Sequence, residues 1–155
     1  MREKLKWAGA SFAAAFALLQ LGSPPRANPR IAHDMMTESP PPPEIARLLR
    51  AACGDCHSHE TRWPWYSHVA PVSWLLTSDV NEARRHLNLS QWPQGRPERA
   101  VKWLNRMSEE IDSREMPPKN YMALHPASRL TNGERKELAG WLDGEAERQK
   151  ALERK

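Results

Sequence analysis

Residues 53–57 read Cys-Gly-Asp-Cys-His and contain both cysteines of the 155-residue chain. Two thiols separated by two residues and followed by a histidine form the attachment signature of a c-type haem. The thiols of Cys53 and Cys56 would form thioether bonds with the two haem vinyl groups, a spacing that suits a helical turn. The imidazole of His57 would then be the proximal iron ligand. We therefore predict one covalently bound haem c on these three residues.

Other chemistries use the same two cysteines. A zinc site normally needs four ligands, and no second closely spaced cysteine pair is present. A thioredoxin-like pair belongs in a β-α-β context, and a structural disulfide suits an oxidising compartment, but neither explains the adjacent histidine. These alternatives stay open, and the remaining zinc ligands would have to come from His57, His59, His68, His86 or His125.

The sequence on both sides of the motif predicts helices. The first begins at Glu44, after a proline run that suits a helix start, and its apolar residues recur at helical spacing up to the motif. The second is predicted over about 71–86, after a loop rich in tryptophan and proline. Its buried side is predicted to consist of Trp74, Leu75 and Val80.

Two more helices are predicted in the C-terminal half. One has the apolar stripe Val101, Leu104, Met107 and Ile111 and ends before Pro117. The last begins at Thr131, where Thr-x-x-Glu forms a capping box, and buries Leu138, Trp141 and Leu142. No segment alternates polar and apolar residues with period two, so we expect an all-α fold.

The N-terminus has the pattern of an export signal. Basic residues precede an uncharged apolar run over 7–22, which predicts that the rest of the chain crosses the membrane. The run is slightly shorter than the roughly 20 residues that span a bilayer, and no clean cleavage site follows, so a retained anchor is favoured over a cleaved signal. The predicted organisation is a signal or anchor over 1–24, a proline-rich stalk over 25–43, the folded domain over 44–146 and a charged, frayed tail over 147–155.

The charge pattern argues against a nucleic-acid partner. The formal net charge is +4, but several basic residues lie in the first thirty positions, where targeting accounts for them. The remaining charges alternate in sign, and no stripe of lysine and arginine with interleaved aromatic residues is present. We therefore expect a protein or membrane partner and no nucleic acid.

Residues 44–141 resemble the bacterial haem-binding domain family related to cytochrome c. Members read much like Cys-x-Asp-Cys-His-Ser-x-x-Thr-x-Trp-Pro-Trp-Tyr-Ser, and residues 53–67 fit that pattern. The resemblance implies haem binding, a small cytochrome c-like helical domain and an N-terminal anchor. Further similarity lies at residues 69–74, 87–90, Trp92, Met116-Pro-Pro, Tyr121 and His125-Pro, with Gln20 and Asn28-Pro29 matching the N-terminal stretch.

The sixth iron ligand is predicted to be Met116. Its thioether suits iron, and the two prolines after it hold a loop of the kind that presents methionine in small bacterial cytochromes c. Met122, His68 and His125 are alternatives, and His59 is too close to His57 to reach the opposite haem face. Residues expected to line the pocket are Trp63, Trp65 and Tyr66.

A haem with histidine and methionine ligands is typical of an electron carrier. We expect one-electron transfer at the periplasmic face of the inner membrane, with a redox partner that the sequence does not identify. The cytochrome c maturation machinery would attach the haem. A haem-based sensor and a peroxidase-like enzyme are alternatives, and the enzyme would need an acid/base group such as His68 or His125. No sequence feature requires catalysis, so a non-enzymatic role is favoured.

Overall fold

The computed structural model describes residues 1–154, and this part of the chain is helical with no β-strand. The all-α fold class predicted from the sequence is confirmed. The helices are α1 (Arg2–Leu21), α2 (Met35–Glu38), α3 (Pro43–Leu49), α4 (Asp55–His57), α5 (Val72–His86), α6 (Pro97–Asp112), α7 (Lys119–Leu124) and α8 (Asn132–Glu153). A π-helical turn, Arg50–Gly54, joins α3 to α4, and 3-10 turns occupy Trp65–His68 and Pro126–Ser128.

The hydrophobic core lies where α8 packs along α6 and against α3. Leu104 of α6 and Leu138 and Leu142 of α8 are fully buried, and each such side chain contributes about 1.5–3 kcal/mol by leaving water. Helix α8 starts at the predicted capping box: the backbone N–H of Glu134 donates to the Thr131 hydroxyl at 3.2 Å, and its carboxylate accepts from the Thr131 N–H at 2.8 Å. The predicted burial of Leu138 and Leu142 is confirmed, whereas Trp141, which was predicted with them, is only partly buried.

The buried face of α5 differs from the predicted one. Trp74 is 37% exposed and Leu75 is 64% exposed, whereas Ser73, Thr77 and Val80 are buried. The indole N–H of Trp74 donates instead to the carbonyl of Gly22 at 3.1 Å, outside the core. Apolar character alone therefore predicted the burial of Trp74 and Leu75 wrongly, whereas the predicted burial of Val80 is confirmed.

The segment predicted to be an extended stalk packs on the domain. Met35, in the short helix α2, is completely buried in the core, and Ser39 is almost completely buried. Upstream, the Asn28 side chain donates to the carbonyl of Thr61 at 2.9 Å, and Arg26 donates to the carbonyl of Ser67 at 3.2 Å. This segment is part of the folded unit, because its backbone and one large apolar side chain find partners there.

The C-terminal tail also differs from the frayed extension that was expected. Helix α8 continues to Glu153, and Ala146 and Gln149 are buried. The amide of Gln149 donates to the hydroxyl of Ser39 at 3.2 Å. The charged end of α8 is ordered because the chain around α2 covers it.

Helix α1 contains the apolar N-terminal run and has no buried residue. None of the helices in residues 1–154 is both long enough and apolar enough to cross a membrane. The structure thus gives no support to the predicted anchor.

Candidate functional site

The segment 53–57, called the attachment motif below, lies at the junction of the π-helical turn and α4 and borders a cavity of the domain. Cys53, Cys56 and His57 all line this cavity, whose volume is about 740 Å³. Two hydroxyl groups hold the following chain against the motif: Ser58 donates to the carbonyl of Gly54 at 2.7 Å, and Thr61 donates to the carbonyl of Asp55 at 2.6 Å. The turn therefore presents both thiols and the imidazole to one space.

The ring of His57 is oriented by a backbone carbonyl. Its Nδ1 lies 3.1 Å from the carbonyl oxygen of Leu87, and a carbonyl can only accept, so Nδ1 carries the proton. This pairing leaves Nε2 as the unprotonated nitrogen, the arrangement found in metal-ligating histidines. Burial lowers the pKa of His57, which favours the neutral ring that a metal ligand requires.

Both cysteines are free thiols in a partly buried environment. Burial raises the pKa of Cys53 to about 12 and that of Cys56 to about 11. A redox-active pair has the opposite property, a lowered thiol pKa. In residues 1–154 no group of three or more His, Cys, Asp or Glu side chains is arranged to hold a metal ion. The geometry offers no support for a thioredoxin-like pair or a zinc site.

The walls of the cavity are predominantly apolar. Val80 and Leu87 contribute from α5 and the residue after it, and Trp103, Met107 and Ile111 contribute from α6. Its volume lies within the range of about 300–1,000 Å³ that is usual for small-molecule and cofactor sites. An apolar cavity of this size fits a flat, largely apolar macrocycle.

Of the three aromatic residues predicted for the pocket, two line it. Trp63 and Tyr66 face the cavity. The indole nitrogen of Trp63 is buried and has no hydrogen-bond partner, which leaves one donor for an acidic group of a bound molecule. Trp65 lies outside the cavity and is 78% exposed. The structure therefore places Trp65 outside the pocket, although Pro64 and Tyr66 on either side of it line the cavity.

Met116 lines the same cavity as His57. It lies just after α6, and its backbone is held on both sides: its N–H donates to the carbonyl of Glu110 at 3.1 Å, and its carbonyl accepts from Arg135 at 3.1 Å. Arg135, which is 9% exposed, also donates to the carbonyl of Ile111 at 3.0 Å. The loop is therefore fixed by a buried arginine that the sequence pattern did not single out.

The other proposed sixth ligands are placed less favourably. Met122 and His68 do not line the cavity, and His68 is exposed. His59 is buried with both ring nitrogens paired, Nδ1 with the carbonyl of Arg30 at 3.0 Å and Nε2 with the amide of Asn88 at 2.8 Å. Of the three proposed alternatives, Met122, His68 and His125, only His125 lines the cavity.

His125 is itself part of an aromatic cluster. Its ring stacks on Tyr121 at a centroid distance of 4.1 Å. Its Nδ1 donates to the carbonyl of Tyr121 at 3.1 Å, and its Nε2 faces the Tyr66 hydroxyl at 3.4 Å. These contacts use both ring nitrogens, so Met116 is the better-placed candidate.

A second arginine supports the attachment motif from outside the cavity wall. Arg84 of α5 donates to the carbonyl of Ser58 at 2.8 Å and to the hydroxyl of Thr61 at 2.9 Å. It also donates to the carbonyl of Ala27 at 2.9 Å. The sequence did not single out Arg84. Its spacing on the inner stripe of α5 was the only available signal, since its partners lie far away in the chain.

The residues at this cavity fit a haem. The thiols of Cys53 and Cys56 would hold it, His57 has a free nitrogen for the iron, and the Trp63 N–H can pair with a haem carboxylate. When bound, haem supplies a one-electron iron centre. The chain's own residues would attach the group and orient it.

Comparison with known proteins agrees with this site. A family model described as a haem-binding domain matches residues 14–144. The match begins within α1 and includes the segment predicted to be a stalk, in agreement with its packing on the domain. No curated protein and no solved structure matches the chain. Because the family model covers most of the chain, the protein belongs to the haem-binding domain family.

Proposed function

We propose that this protein carries one covalently attached haem c and uses it for one-electron transfer. The observation that carries the proposal is the meeting of Cys53, Cys56, His57 and Met116 at one apolar cavity. A reversible haem site needs no pair of thiols, whereas thioether attachment needs two at this spacing next to the ligating histidine. The cytochrome c maturation machinery would catalyse the attachment.

Electron transfer is favoured by the two axial candidates. With the neutral His57 ring on one face and the Met116 thioether on the other, the iron would be six-coordinate, as in small cytochromes c. A methionine ligand raises the reduction potential. Backbone hydrogen bonds hold Met116 in its loop, which limits the rearrangement that accompanies a change in oxidation state.

A ligand-binding or peroxidase-like function is the alternative. The observation in its favour is the position of His125, which lines the cavity beside Tyr66 and is the one candidate acid/base histidine that does so. Such a function requires an open iron position, and hence displacement of Met116. Spontaneous binding of a small ligand to the resting protein would favour this alternative.

The N-terminal sequence supports a periplasmic location. Positive charge followed by the apolar run predicts export, and c-type attachment takes place after export. We propose that the protein acts at the periplasmic face of the inner membrane with a redox partner. N-terminal sequencing of the native protein distinguishes a retained anchor from a cleaved signal. A protein that still begins at Met1 has kept the segment as an anchor, and a protein that begins near Ala27 has lost it as a signal.

The decisive experiment tests covalent attachment. The full chain is expressed with the cytochrome c maturation machinery, extracted with acid and acetone, and examined as a denatured pyridine adduct. We expect the haem to stay with the protein and the adduct to show the c-type spectrum. In a C53A/C56A variant all haem should be extracted. Complete extraction from the unmodified protein, or retention by the double variant, would overturn the proposal.

A further inference from the structure

A hydrogen bond joins the two sides of the haem cavity. The Tyr121 hydroxyl, on α7, donates to Oδ2 of Asp55 at 2.8 Å. Asp55 lies between the two cysteines of the attachment motif, while α7 follows directly on the loop that contains Met116. Both side chains line the cavity. The bond therefore links the segment that would supply the sixth ligand to the peptide that would carry the haem.

Few other contacts tie the middle of this segment to the rest of the domain, since the bond from the Arg129 side chain to the carbonyl of Met122 at 3.0 Å is local. Helix α7 has no buried residue, and its main packing neighbour is the adjacent turn Pro126–Ser128. The segment is held at its start by the bond from Arg135 to Met116 and at its end by the contact of Pro126–Ser128 with the π-helical turn. Because burial contributes so little to the stability of α7, hydrogen bonds determine the position of α7 at the cavity.

The Asp55 carboxylate is well prepared to accept this bond. Its side chain is 14% exposed, and its Oδ1 accepts from the backbone N–H of Arg62 at 3.0 Å. Burial and the bond to Asp55 raise the pKa of Tyr121, so the phenol remains a donor throughout the neutral range. A shielded bond to a charged acceptor is stronger than one between neutral groups.

We propose that Tyr121 is a positioning residue for Met116: through its hydrogen bond to Asp55, it holds the segment 116–124 against the attachment motif and keeps Met116 at the iron. This inference rests on the proposed function. Without the bond, the segment moves away more often, and the sixth position becomes open to small ligands. Tyr121 thereby controls the fraction of the protein in which the sixth iron position is open. A small fraction suits an electron carrier, and a large fraction suits a ligand-binding protein.

The test uses Y121F in the mature haem protein, which removes the hydroxyl and retains the ring stacked on His125. Carbon monoxide competes with Met116, so its apparent affinity measures the population of the open state. A hydrogen bond to a charged acceptor of this kind changes that population by at least about tenfold. We expect Y121F to bind carbon monoxide about tenfold more tightly and to show a weaker sulfur-to-iron absorption band, with unchanged haem content.

The matched control is R129Q. Arg129, which lies just after the Pro126–Ser128 turn, is exposed and donates back to the carbonyl of Met122 at 3.0 Å, a local bond that does not reach the attachment motif. Its carbon monoxide affinity should equal that of the unmodified protein. M116A gives the reference spectrum of a protein without the sulfur ligand.

D55N separates positioning from general destabilisation. The single amide oxygen of asparagine carries no charge and cannot accept from both Tyr121 and the backbone N–H of Arg62, so the bond is weakened and the effect should have the same direction as that of Y121F. In the double variant the two effects should not add, because they act through one bond. Unchanged carbon monoxide affinity in Y121F or in D55N, or full additivity, would overturn the inference while leaving haem attachment intact. Unmodified protein that lacks covalent haem, or an M116A protein that keeps the sulfur band, would overturn the proposed function and this inference with it.

Discussion

Replacement of Arg135 by glutamine should destabilise the protein through the loop that carries Met116. The Arg135 guanidinium is almost entirely buried and donates to two carbonyl groups, those of Ile111 and Met116, at 3.0 and 3.1 Å. Bonds from a charged donor contribute about 1.5–3 kcal/mol each, and glutamine is too short to make both. We therefore expect R135Q to lower the free energy of unfolding by about 3 kcal/mol.

The assay is urea unfolding of the full chain at neutral pH, monitored by circular dichroism. The matched control is R114Q, because Arg114 lies in the same loop but is exposed and donates to the side chain of Asn132 at 2.9 Å. Exposed substitutions of this kind change stability by about 0.5 kcal/mol or less. If R135Q lowers the midpoint no more than R114Q does, the buried arginine does not hold the loop and the argument fails.

Met35→Ala should destabilise the domain by about 2–5 kcal/mol, because Met35 is fully buried in the core, whereas Ile31→Ala at a 43% exposed position should have little effect. If the two variants had equal thermal stability, Met35 would not contribute to the core, and the segment would be a free stalk as the sequence predicted. The bonds from Thr131 and from Arg47 lower the pKa of Glu134 to about 2 from 4.5. A carboxyl group whose pKa is lower in the folded than in the unfolded state stabilises the folded protein at pH values above its unfolded pKa. This stabilisation is lost as the pH falls towards the folded pKa. The unmodified protein should therefore lose stability between about pH 4.5 and 2. E134Q should lose less over that range in urea titrations at several pH values, and an identical acid response in both proteins would contradict the assignment.

Local patterns were sufficient for the main helices and the attachment motif. The spacing of Val101, Leu104, Met107 and Ile111 predicted the stripe of α6, of which the last three residues are buried and Val101 is half-buried. Thr131 with Glu134 predicted the start of α8. These features depend on contacts between residues three or four apart, which a helix brings together whatever surrounds it. The prediction for Trp74 and Leu75 of α5 failed because it used only the hydrophobicity of the side chains. Whether a side chain of a helix is buried depends on what packs against that side of the helix.

The sequence by itself determined the haem-type chemistry, since two thiols and a histidine at this spacing occur in one pentapeptide. Only the tertiary structure decided what surrounds them. The pairings of Tyr121 with Asp55 and of Arg135 with Met116 join residues 66 and 19 positions apart. The burial of Met35 and the exposure of Trp65 likewise depend on the packing of distant segments. Such contacts leave no periodic signal in the chain, because their geometry arises only when helices, turns and the N-terminal segment pack together.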